Sequence, residues 1–164
     1  MRNMDKRRSD EAAVQAMQLL EGMIVRPSFS REETNVADFI EDFMRAVQLN
    51  PQRLGNNLWC LSDVMKSERP TLLLNAHLDT VKPTAGWTHD PFTPTYEDDR
   101  LYGLGSNDCG GGLVSLLQTF ILLHRDDSLP YNLVFLASAE EEVSGKGGIE
   151  SVLPLLPKID VAIV

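Results

Sequence analysis

The run Thr71-Leu72-Leu73-Leu74-Asn75-Ala76-His77-Leu78-Asp79-Thr80 constrains the fold more than any other stretch. Leu72 to Leu74 lack the polar alternation of a strand that faces water on one side. Such a run suits a strand covered on both faces, as in a parallel sheet between helices. Leu133–Ala137 and Val161–Val164 are two further apolar runs of strand length. Helical patterns lie between these runs, and strands alternating with helices give an α/β layered fold, a largely parallel sheet flanked by helices.

Residues 10–24 read as a helix with Val14, Met17, Leu20 and Ile24 on one face, stopped by Pro27. Ser30-Arg31-Glu32-Glu33 has the capping-box pattern, which predicts a second helix starting there, with Val36, Phe39, Ile40, Phe43, Met44 and Val47 as its apolar stripe. Gly55-Asn56-Asn57 is a turn signal before a short strand, Leu58–Leu61. Residues 80–99 read as a long connection containing Pro83, Pro91 and Pro94, and loops of that length in compact domains are often functional. A strand at Arg100–Gly103 is followed by Gly110-Gly111-Gly112 and a helix with Leu113, Leu116, Leu117 and Phe120 on one face; a short helix is expected over Gly147–Leu153.

Composition narrows the function. At 164 residues the chain is one domain by length. Its net charge of −9 argues against nucleic acid or an anionic membrane as partner. Two cysteines, Cys60 and Cys109, make no disulfide framework, so the reducing cytoplasm is the expected setting. No apolar signal core follows the charged residues 1–8, and no stretch approaches the roughly 20 apolar residues of a membrane span.

In α/β folds ligands collect beyond the carboxyl ends of the strands. Three polar clusters converge on such an edge: His77 with Asp79, Glu140-Glu141-Glu142 after Leu133–Ala137, and Asp108 in a Gly-rich loop. His77 and Asp79 are two apart, so on extended chain they share a face, and a carboxylate beside an imidazole fits a metal ligand held through its second nitrogen. A core histidine satisfied by an aspartate is the plainer alternative. Gly103-Leu104-Gly105-Ser106-Asn107-Asp108 lacks the third glycine of a dinucleotide loop, and its aspartate would repel a pyrophosphate. Asp108 could instead cap the next helix. A charge run is usually a solvated face, yet clustered carboxylates repel unless a cation joins them, and a divalent metal would resolve that. His124, near a helix C-terminus, complements the helix dipole; Cys109 suits small-residue packing better than ligation; His89 has no assigned role.

Taken together, the motifs resemble those of the metal-dependent aminoacylases, acetylornithine deacetylases, succinyl-diaminopimelate desuccinylases and related carboxypeptidases. Asn75–Val81 is similar to that family's first metal motif, Gly103–Gly111 to its bridging-aspartate motif, Ala139–Gly148 to its paired-glutamate motif, and Gly86–Phe92 to its intervening loop. Within the family the resemblance is greatest to acetylornithine deacetylase. It implies two divalent ions, zinc or cobalt, with His77, Asp108 and Glu142 as metal ligands, Asp108 bridging, Asp79 orienting His77 and Glu141 as general base. A frame shifted to Glu140 and Glu141 is the lesser possibility. Cys109 departs from the family's pattern without putting a ligand in doubt. The resemblance also implies a small N-acyl amino acid substrate and a homodimeric full-length protein. It implies that residues 1–164 form the N-terminal part of the catalytic domain, without the second, lid or dimerisation domain. The chain by itself is then expected not to hydrolyse N-acyl amino acids at a useful rate. The alternative is a non-catalytic fragment that keeps the fold and binds metal weakly.

Overall fold

The structure, a computed structural model, describes residues 2–164, with side-chain surroundings from residue 6 onward. In chain order its elements are α1 (Arg2–Ile24), α2 (Thr34–Ala46), β1 (Gln52–Leu54), β2 (Asn57–Leu61), β3 (Thr71–His77), β4 (Thr95–Glu97), β5 (Arg100–Tyr102), α3 (Gly111–Leu123), β6 (Asn132–Ser138), α4 (Ile149–Val152) and β7 (Val161–Ile163). Five strands form one sheet in the order β1-β2-β6-β3-β7. β3 runs parallel to β6 and β7, while the β1–β2 hairpin joins antiparallel along β6. The α/β layered expectation therefore holds.

The central strands β2, β3 and β6 are covered on both faces, which is why their sequences show no polar alternation, whereas the edge strand β7 is exposed along its length. Leu58, Cys60, Leu74, Ala76, Leu133, Phe135 and Ala137 face one way and pack with α1, α2 and α3. Trp59, Leu73, Val134 and Leu136 face the other way, against Val152, Ile149, Leu156 and Ile159. Fully burying one such side chain contributes about 1.5–3 kcal/mol, so this two-sided core dominates the stability of the strands that carry the site.

Local readings differ at three places. On α1 the buried residues are Ala12, Leu19, Leu20, Met23 and Ile24, while Val14 and Met17 lie exposed. Ala16 also packs against the core; of the expected face, Leu20 and Ile24 point inward and Val14 and Met17 do not. The connection over residues 80–99 is not all loop, because β4 pairs with β5 in a small separate hairpin. The capping box does not form. α2 begins at Thr34 with Glu33 in the cap position, and Glu33 makes no side-chain cap bond to the helix. The Ser30 hydroxyl donates instead to Asp79 Oδ2 at 2.7 Å. The stripe of α2 is as expected, with Val36, Ile40 and Met44 fully buried.

Candidate metal centre

The register of β3 on β6 builds this site. His77 pairs with Ser138, so both strands end side by side, and the Leu78 N–H donates to the Ser138 carbonyl at 2.7 Å. Chain leaving β6 bends through Glu140, whose φ of 54° is left-handed, into a single 3₁₀ turn, Glu141–Val143. β6 and β7 lie on opposite sides of β3, so the connections diverge at its carboxyl end, the position where α/β sheets hold ligands.

His77 is buried, and its Nδ1 lies 2.8 Å from the backbone carbonyl of Asp79. A carbonyl only accepts, so Nδ1 carries the hydrogen and Nε2 is the nitrogen that meets the carboxylates. Nε2 is 3.0 Å from Asp108 Oδ1 and 3.8 Å from Glu141 Oε2. Burial opposes charge on His77, but hydrogen bonding to the Asp79 side chain and backbone and to Asp108 outweighs it and raises the imidazole to about 9. The ligand atoms of His77, Asp108 and Cys109 lie within 4.8 Å of one another, as do those of His77, Glu141 and Glu142. The Glu142 carboxyl is pushed up, first by burial and then by Asp108, with Glu141 and Asp79 adding to it while His77 opposes. Asp108 makes no cap on α3; its side chain is 78% exposed and turned to His77.

Asp79 lies beneath this group with no solvent exposure. Its Oδ1 accepts from the Glu141 N–H at 3.0 Å, and its Oδ2 from the Glu142 N–H at 3.1 Å as well as from Ser30. The carboxylate stands 3.6 Å from His77 Nδ1. Burial would raise this carboxyl, but His77, Ser30 and the two amides hold it down at about 2. Asp79 thus orients His77 chiefly through its backbone carbonyl, while its carboxylate fixes the turn that bears the glutamates.

Glu140 stands apart. Its carboxyl accepts from the Gly147 N–H at 3.4 Å and lies 3.6 Å from Arg31 Nε. A Cβ at Gly145 would come 1.9 Å from Glu140 Oε2, and one at Gly147 2.3 Å from Oε1, so these glycines make room for that side chain. Glu140 folds under the glycine tail, while Glu141 and Glu142 reach toward His77.

His89, His124 and Cys60 lie elsewhere, while Cys109 stands beside the ligand group. His89 packs at a tilt against Tyr102 and sits 3.3 Å from Glu97; His124 stacks on Phe120 at the end of α3. Cys60 is buried in the sheet, and burial pushes its thiol up to about 12. Cys109 is half-buried and is also shifted up, mainly by burial. Since the thiolate is the reactive form, iodoacetamide at pH 8 is expected to label Cys109 in the native chain and Cys60 only on unfolding. Equal labelling rates, read by mass spectrometry, would contradict the closed sheet face around Cys60.

Sequence reasoning missed three residues at this site, Ser30, Glu33 and Asn57. Glu33 accepts from the Glu140 N–H and Asn57 from the Ala139 N–H. Glu33 had a sufficient local explanation as part of a capping box, and Asn57 as part of a turn. Nothing local in the sequence distinguishes those uses from a long-range one.

The family model described as peptidase family M20/M25/M40 matches residues 73–163. Among curated proteins, the chain is 31% identical over 136 residues to a "probable succinyl-diaminopimelate desuccinylase" of Staphylococcus aureus, covering 80% of this chain and 33% of that one. It is 25% identical over 151 residues to the succinyl-diaminopimelate desuccinylase of Delftia acidovorans, covering 85% and 39%. Among solved structures, human carnosine dipeptidase 1 matches with a TM-score of 0.68 at 21% identity, over 93% of this chain and 38% of that one. A dinuclear metal-binding peptidase of the M20 family from Bacillus subtilis matches with a TM-score of 0.70 at 18% identity, over 93% and 42%. These structural likenesses show the shared fold. The chain spans between 33% and 39% of the length of these two curated relatives.

Proposed function

This chain belongs to peptidase family M20/M25/M40, and from that premise we propose that it carries a metal-binding hydrolytic centre for cleaving the amide bond of N-acyl amino acids. The supporting observation is the meeting of His77 Nε2 with Asp108 and Glu141 at the joined ends of β3 and β6. The donor set fits a divalent ion. One imidazole has its hydrogen fixed on the far nitrogen, and three carboxyl groups crowd the near one. His77, Asp108 and Glu142 would hold the metal, with Asp108 shared between two ions; imidazole with carboxylate suits zinc or cobalt. Bound there, the ions would polarise the acyl carbonyl and lower the pKa of the attacking water.

Glu141 is the general base in this reading. It takes a proton from the water as the new C–O bond forms, and delivers it to the amine nitrogen as the C–N bond breaks. Its side chain is 59% exposed, which leaves it open to water and substrate, whereas the buried Asp79 has its carboxylate occupied by three donors.

The two curated desuccinylases favour an N-succinyl diamino acid as substrate, while the motif resemblance alone pointed to N-acetylornithine. The test is amine release from N-succinyl-diaminopimelate and N-acetylornithine by the full-length gene product with zinc or cobalt, beside residues 1–164 alone. Hydrolysis of one of them, abolished by a chelator and restored by the ion, is the expected result. Turnover indifferent to chelation would overturn the proposal.

A further inference from the structure

The turn that carries Glu141 and Glu142 is held by an unusual set of partners. Four successive backbone amides are captured by side chains from three separate places in the fold. The Ala139 N–H donates to Asn57 Oδ1 at 2.9 Å and the Glu140 N–H to Glu33 Oε1 at 3.1 Å, and the next two amides donate to Asp79. Asn57, Glu33 and Asp79 have no solvent exposure. Asn57 also donates to the Gly147 carbonyl at 2.6 Å, which ties down the far end of the same loop.

Glu33 is the least expected member. Burying a carboxyl group is costly unless its oxygens are satisfied. Here Oε1 accepts from the Arg31 N–H at 2.7 Å as well as from Glu140, and Oε2 accepts from Asn56 Nδ2 at 2.9 Å. A residue beside a helix N-terminus ordinarily caps that helix or stays in water, and Glu33 does neither. Its acceptor is directed at Glu140, the one residue that must hold a left-handed φ of 54° for the chain to turn from β6 toward His77. A non-glycine residue keeps such a conformation only where its surroundings impose it.

We infer that Glu33 is a positioning residue: through the Glu140 amide it fixes the entry to the turn, and so sets where Glu141 and Glu142 stand relative to His77. The inference rests on the reading of those two glutamates given above. Glu33 itself touches neither the proposed metal ligands nor substrate.

The test uses amide hydrogen exchange across residues 139–142, cobalt affinity, and the variants Glu33→Met, Glu33→Gln and Asn56→Ala. In the wild-type chain the four amides exchange as slowly as those of β6, although they lie outside the sheet. Glu33→Met keeps the volume and removes the acceptors; exchange at Glu140–Glu142 rises at least tenfold relative to β3 and β6, and cobalt binds at least tenfold more weakly. Glu33→Gln keeps one acceptor oxygen and brings both readings back to within about threefold of wild type. Asn56→Ala, which removes the partner of Glu33 Oε2 along with long contacts from Thr34 and Arg53 but leaves the Glu140 bond to Oε1, lowers the melting temperature without either effect. Fast wild-type exchange at these amides would overturn the inference outright, even if Glu33→Met does not fold. So would a Glu33→Met variant whose loss of protection is uniform across the sheet. A wild-type chain that shows the protected amides yet binds no cobalt would instead remove the metal reading and leave the cradle standing.

Discussion

Glu141→Gln is expected to lower turnover of the full-length gene product by about 10²–10⁴-fold, the usual contribution of a positioned general base, while metal content stays near that of wild type. The side chain is 59% exposed, and an isosteric change at such a position shifts stability by only about ±0.5 kcal/mol. An activity loss of that size therefore cannot come from unfolding. The amide keeps the shape of the carboxylate but has no basic oxygen to take a proton from water. Glu142→Gln should behave differently, losing metal together with turnover, because Glu142 is the proposed ligand and Glu141 the proposed base, although both belong to the group of ligand atoms around His77. Metal content by elemental analysis beside kcat separates the two. Near-normal turnover in Glu141→Gln would move the base to another carboxylate.

Asp79→Ala is expected to cost about 3–5 kcal/mol of folding stability, as removing one partner of a buried ionic network does. That is a large part of the about 5–15 kcal/mol that holds a typical domain together. The change strands the Ser30 hydroxyl and the Glu141 and Glu142 amides, and takes a buried anion from beside His77. The same residue predicts an acid limb. Its carboxyl is held at about 2 in the fold, against about 3.9 in an unfolded chain. A lowered carboxyl stabilises above the unfolded value and loses that contribution as pH falls through the folded one, here on the order of 2–3 kcal/mol over roughly pH 4 to 2. His77 works in the opposite direction. Raised to about 9, it stabilises fully below about 6.5 and loses its contribution as pH climbs through 9. The two shifts report largely the same contact and do not add. Urea titrations of the metal-free chain should show the best stability between about pH 4 and 6.5, and Asp79→Ala should flatten that dependence. An unchanged urea midpoint in the variant would refute the role given to Asp79.

The parts of this fold that could be read from sequence are those where burial dictates residue type. Leu72–Leu74 and Leu133–Ala137 are apolar on successive residues because both sheet faces are covered. The positions of His77, Asp108 and the glutamates followed from strand ends, since that is where an α/β sheet collects polar groups. What could not be read depends on which of two acceptable partners a polar side chain selects. Ser30 and Glu33 satisfy a local capping rule on paper, yet Ser30 donates to Asp79 and Glu33 accepts from Glu140. Asp108 could have capped α3 and turns to His77 instead. The inner face of α1 was read in part: Leu20 and Ile24 are buried as expected, while Ala12 and Ala16 take inward positions that a search for large apolar residues passes over.

The cradle under the glutamate turn has a consequence for the order of folding. Its amide captures join residues 62, 63, 82 and 107 positions apart in the chain. Contacts so distant in sequence are rewarded only after the loop-closure entropy of the intervening chain has been met, so they form late. Neither α2, nor the β1–β2 hairpin, nor the end of β3 can hold the turn alone. The proposed ligand geometry then assembles only late in folding, so an ion held there would not template the fold. Binding to the finished sheet, such an ion would slow unfolding rather than hasten folding.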